Sequence, residues 1–273
     1  VAVDSRVTLG QRSRRTGVPL LLVLPAAVGF AILVLPVVGL LLKAPWSTLA
    51  SQLGSPAVRQ ALQLSLITAT AATAISCVLG IPLAWFLARV DFRGRRVARA
   101  LVTLPLVLPP VVGGVALLLV LGRHGLVGEW LDRWFGITIP FTTFAVVIAE
   151  TFVAMPFLVI SVEGALRAQD TRFEEAAATL GASRWTAFRR VTLPLVAPAV
   201  SAGAVLCWAR ALGEFGATIT FAGTFPGRTE TMPLAVYLAL QTNLEGAVVL
   251  SVVLLAVSVI VLVGLRDRWV TRL

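Results

Sequence analysis

Residues 18–42 read VPLLLVLPAAVGFAILVLPVVGLLL, twenty-five positions without one charge. A helix needs about 20 apolar residues to cross the hydrocarbon core of a bilayer, so this run by itself predicts a membrane protein. It follows Arg12, Arg14 and Arg15, an arrangement a secretory signal would also have. A signal core runs only about 7–15 residues and ends at a small-x-small site. This run is longer and reaches Lys43 without such a site, so it is expected to stay as an uncleaved anchor.

Working outward, five more apolar runs follow, at about 60–88, 100–122, 139–163, 194–221 and 246–265. The fourth is interrupted only by Glu150 before Glu163, and the fifth carries Arg210 and Glu214. Of the 273 residues 58% are hydrophobic and 13% charged, where soluble domains carry about 25% charged residues. The expected fold is an all-α membrane protein of six transmembrane helices. A single membrane domain over 18–265 lies between an N-terminal tail, 1–17, and a C-terminal tail, 266–273.

The net charge is +10. The arginines fall between the apolar runs, which makes them topology signals rather than a nucleic-acid footprint. With the N-terminus in the cytoplasm, seventeen basic residues lie inside and five outside. Arg89, Arg93, Arg95, Arg96, Arg99, Arg167, Arg172, Arg184, Arg189 and Arg190 supply most of the inner set. This bias predicts a multi-pass protein with both termini cytoplasmic. Cys77 and Cys207 sit inside apolar runs and read as small buried side chains. His124 reads as a solvated loop residue, so neither a disulfide nor a metal site is expected. Trp130 and Trp134 share one face of a short helical stretch. They read as an interfacial helix in contact with lipid, or alternatively as a contact for an external partner.

Residues 167–193 are too patterned for a plain connector. Thr171-Arg172-Phe173-Glu174 has the form of a capping box. Glu175-Ala176-Ala177-Ala178-Thr179-Leu180 is strongly helix-forming, and Gly181 is placed to end that helix. Ser183 can cap a second short helix through Arg189 and Arg190. Phe173, Ala177, Leu180, Phe188 and Val191 recur at helical spacing, and Trp185 lies midway. Two amphipathic helices hinged at a glycine can rest on lipid or serve as a docking knob. Periodicity leaves both open.

The spacing Glu175-Ala176-Ala177, three residues, Gly181, nine residues, Val191-x-Leu193-Pro194 resembles the EAA loop of ABC importer permeases. Val191 stands where isoleucine is usual. The resemblance implies that this loop couples to a separate ATP-binding subunit, with Glu174, Glu175, Ala176, Ala177, Gly181, Trp185 and Arg189 as coupling residues. No P-loop is possible here, because Gly-Lys followed by Ser or Thr is required and the only lysine, Lys43, follows Leu42. With one histidine there is no H-E-x-x-H motif and no constellation for a histidine-based hydrolase. No catalytic residue, metal or cofactor is expected on this chain, and ATP and Mg are expected on the partner ATPase.

Leu104-Pro105-Leu106-Val107-Leu108-Pro109-Pro110-Val111-Val112-Gly113-Gly114 cannot form a regular helix. Irregular backbone at membrane depth is tolerated only inside protein or along a watery cavity. Pro109, Pro110 and Gly113 therefore read as a structural kink or as part of a pore or gate. Arg210 and Glu214 are i, i+4 neighbours, either a structural pair or path residues. Thr218 and Thr220 follow on the same run. Gly213-Glu214-Phe215-Gly216-Ala217-Thr218 and the Phe221-to-Leu234 stretch resemble the permeases of molybdate importers, with sulfate, thiosulfate and tungstate permeases as near alternatives. The resemblance implies a homodimer, two ATP-binding subunits, an extracytoplasmic oxyanion-binding protein and a bacterial inner-membrane location. An ATPase-independent channel or secondary transporter is the rival class.

Overall fold

The computed structural model describes residues 20–270. The expectations placed on 1–17, on Val18 and Pro19, and on residues 271–273 lie outside the described residues. Helix α1 (Leu20–Lys43) coincides with the first apolar run. Its Leu22, Phe30, Leu33 and Leu42 are exposed.

The rest of the chain forms a helical bundle, with no strand among the described residues. After α2 (Trp46–Leu53) comes the 34-residue α3 (Pro56–Arg89). Ser55 caps α3 by accepting from the Val58 amide, and Pro56 occupies its first turn, where a missing N–H costs nothing. Ala69, Ala72, Ser76, Gly80 and Ala84 form a small-residue stripe along α3. Such a stripe lets a neighbouring backbone approach closely, which is the main source of helix association in lipid.

Helix α4 (Arg95–Val107) and α5 (Pro110–Leu121) replace the single span expected at 100–122. They meet at a bend of 117°. Leu108 and Pro109 are extended, and neither Pro109 nor Pro110 has an N–H to continue the ladder. Twelve residues of α5 reach only about 18 Å, so neither helix crosses a bilayer alone. Helix α6 (Gly128–Phe135) is the tryptophan stretch, followed by α7 (Thr143–Ala168). Then come α8 (Arg172–Thr179), α9 (Arg184–Ala187) and a π turn over Phe188–Thr192 that runs into α10 (Leu193–Leu212).

The run expected at 194–221 is also broken: α10 ends at Gly213 and α11 (Gly216–Phe221) is separate. Two elements depart further from expectation. Helix α12 (Met232–Thr242) occupies what reads as a connector, and α13 (Leu244–Val270) continues into the region assigned to a tail. Among the described residues five helices are long and apolar enough to span a membrane, or six if α4 and α5 count as one bent span.

The core is the packing of α3, α7 and α10. Leu158, Val159, Val162 and Leu166 of α7 bury against the α3 stripe and against Val196, Cys207 and Leu212 of α10. A second cluster joins α7 to α11 through Val146, Val153, Ala217 and Phe221. A third joins α12 and α13 to the start of α3, where the Met232 amide donates to Ser65 Oγ at 2.7 Å.

Gly114 lies at a close approach of α5 to α11. A Cβ there would lie 2.8 Å from the Ala217 carbonyl oxygen and 2.8 Å from Thr220 Cβ. Gly114→Ala is expected to destabilise the protein by about 1–3 kcal/mol, read as a lowered thermal midpoint in detergent. Gly164→Ala is the control: nothing lies within 4 Å of its Cβ position, and alanine in a helix is favoured over glycine by up to about 1 kcal/mol.

Candidate functional site

The 167–193 loop is built from local rules and then fastened by long-range ones. Helix α8 starts without the expected capping box. Thr171 adopts helical dihedrals, so its hydroxyl does not reach the amide three residues on, and it donates instead to Glu175 Oε1 at 3.3 Å. Asp170 Oδ1 accepts from the Arg172 amide at 3.0 Å and satisfies one of the orphan donors. The helix ends in a Schellman motif: the Gly181 amide donates to the Ala178 carbonyl and the Ala182 amide to the Ala177 carbonyl. Gly181 has φ +83°, a left-handed conformation that glycine adopts freely. Ser183 caps α9 by accepting from the Thr186 amide at 3.2 Å.

The two adjacent acids part company. Glu175 is exposed, together with Ala176, Arg184, Arg189 and Arg190. Glu174 turns inward: its Oε1 accepts from Arg89 Nη2 at 3.1 Å and from Thr192 Oγ1 at 3.0 Å. Phe173, Leu180 and Trp185 are 56%, 88% and 68% exposed, apolar side chains on a loop that also carries exposed Glu175, Arg184 and Arg189. Phe188 points to the bundle instead, edge-on to Trp85 of α3 and stacked on Trp185. Ala177 is half-buried. A cavity of about 490 Å³ lies between the end of α3 and the loop, lined by Arg89, Glu174, Glu175, Arg184 and Thr192 among others.

The residues singled out in the third and fifth apolar runs meet. A Cβ on Gly216 would lie 2.8 Å from Pro110 Cβ, and one on Gly113 would lie 3.0 Å from Phe152. Gly113 and Thr218 are buried, Thr220 donates to the Gly216 carbonyl at 2.8 Å, and Pro109 is exposed at the bend. Arg210 and Glu214 form an ion pair at 2.7 Å. Glu214 lies just past the end of α10 and also accepts from the Ala217 amide at 2.8 Å. At the other short helix Trp130 and Trp134 stack, with ring centroids 6.2 Å apart. There the Asp132 carboxyl is held below its usual range, first by the hydrogen bond from Arg123 and also by one from Thr138.

Three side chains that the sequence reading did not single out tie the helices together. Glu150 is buried in α7 and accepts from Thr68 Oγ1 at 2.9 Å, tying α7 to α3. Glu163 pairs with Arg99 across α7 and α4. Arg89, counted only as a topology signal, holds Glu174. A charge inside an apolar run must find an interior partner, which was the available signal for Glu150.

Known proteins resemble this chain in sequence and in fold. The model of the family described as binding-protein-dependent transport system inner membrane component matches residues 80–273. The chain is 47% identical over 253 residues to the molybdenum transport system permease protein ModB of Mycobacterium tuberculosis, covering 93% of this chain and 96% of that protein. It is 35% identical over 269 residues to the sulfate transport system permease protein CysT of Escherichia coli, covering 97% and 95%. Its fold matches a chain of a bacterial ABC transporter involved in the import of alginate, with TM-score 0.73 at 19% identity, over 91% of this chain and 93% of that one. A helical membrane bundle with a glycine-hinged loop, joined to these matches, places the chain in the family of binding-protein-dependent transport system inner membrane components, as a permease subunit of an ABC importer.

Proposed function

We propose that this chain is the permease of a molybdate importer. In this reading two copies form the translocation path, two ATP-binding subunits carry ATP and Mg, and an extracytoplasmic binding protein delivers the oxyanion. Both termini and the 167–193 loop face the cytoplasm, in keeping with the basic bias of the inner segments. The exposed Phe173, Leu180 and Trp185, with Glu175 and Arg189 on the same loop, dock on the ATP-binding subunit. Closure of those subunits around ATP moves the loops, and the paired permeases pass from inward-facing to outward-facing. Pro110, against Gly216 of α11, supplies with Pro109 and Gly113 the movable part of the path.

The observation that carries the choice of cargo is the 47% identity to a molybdenum permease along nearly the whole chain, against 35% to a sulfate permease. The test is reconstitution with the ATP-binding subunit and the binding protein in liposomes. Molybdate is expected to stimulate ATP hydrolysis at lower concentration than sulfate or tungstate. Stronger stimulation by sulfate would reassign the cargo.

A further inference from the structure

The geometry points to Arg89 as the positioning residue through which the 167–193 loop drives the membrane bundle. This inference rests on the reading of that loop as the docking element. Arg89 closes α3, and its Nη2 donates to Glu174 Oε1 at 3.1 Å while Thr192 of the π turn donates to the same oxygen at 3.0 Å. The side chains of Arg89 and Glu174 are 12% and 23% exposed, so water screens this pair less than a surface pair. A second, aromatic link runs beside it: Trp185 stacks on Phe188 at 5.7 Å, and Phe188 meets Trp85 at 6.1 Å. Both links end on α3, one turn apart.

The end of α3 passes the load on. Arg95 of α4 donates to the Leu87 and Ala88 carbonyls at 2.7 Å each, and Arg99 donates to Leu87 at 3.0 Å. Arg99 also pairs with Glu163 of α7. Helix α4 leads directly to the Pro109 bend, whose far side packs on α11. Contiguous hydrogen bonds and rigid helices of this kind are the physical carriers of coupling. The π turn that presents Thr192 fits the pattern, since π bulges concentrate at functional sites. Glu175 docks, whereas Glu174 pulls on α3 through Arg89.

The test uses the full complex in liposomes with molybdate. Arg89→Ala is expected to keep the ATP-binding subunit on co-purification while molybdate imported per ATP hydrolysed falls about tenfold. Arg89→Lys should keep part of the coupling, and the exchange Arg89→Glu with Glu174→Arg should restore more than either single change. Loss of folding would lower all readouts together and would not be rescued by the exchange. A wild-type import ratio in Arg89→Ala overturns the inference, as does loss of the ATP-binding subunit in that variant, which would make Arg89 a docking residue. The docking reading fails separately, if Trp185→Ala with Glu175→Lys leaves co-purification intact.

Discussion

Arg210→Ala is expected to cost roughly 3–5 kcal/mol of stability. Glu214 is 1% exposed, and Arg210 lies 2.7 Å from it. Without the guanidinium, the buried carboxylate keeps only the Ala217 amide at 2.8 Å. Removing one partner of a buried pair is far worse than removing both, because the remaining charge has no compensation. Adding Glu214→Gln to Arg210→Ala should therefore recover much of the loss, since the amide keeps the shape and drops the charge. The measurement is the thermal midpoint and the monodisperse fraction in detergent. An Arg210→Ala protein that melts like the parent would remove the pair from the account.

Gly181→Val is expected to lower uptake by at least about tenfold, while Gly181→Asn keeps most of it. The cause is conformational, because nothing lies within 4 Å of the Gly181 Cβ position while its φ is +83°. The left-handed region costs an ordinary L-residue about 1–2 kcal/mol and a β-branched one more, whereas asparagine tolerates it. Helix α8 has only eight residues, so it has little stability of its own to absorb that cost. The valine would unmake the Schellman turn and shift Glu175 relative to Trp185. Uptake in Gly181→Val equal to that in Gly181→Asn would mean that the turn is not needed.

These effects mark where the sequence was legible and where it was not. The apolar runs disclosed α1, α3, α7, α10 and α13, because length and absence of charge are sufficient signals in a bilayer. The irregularity at Pro109 and Pro110 was readable, but its 117° bend was not. Beyond the bend α5 packs on α11 through Gly114 and Ala217, about a hundred residues apart, a contact no local pattern announces. Helix α12 has eleven residues, too few to register as a span, and its start is fixed by Ser65 from α3. The spacing around Glu175 and Gly181 exposed the loop as special. Which of Glu174 and Glu175 faces outward was hidden, because Arg89 and Thr192 decide it from elsewhere in the chain. The capping-box pattern failed for a local reason: Thr171 is already helical, and Asp170 takes its place.

Dependence on the ATP-binding subunit is measured as molybdate uptake into liposomes holding this permease, with ATP enclosed and the binding protein outside, with and without that subunit. Uptake is predicted to require that subunit and ATP and to vanish when either is left out. Uptake by the permease alone, driven by the molybdate gradient, would contradict the account and make the chain a channel or secondary transporter.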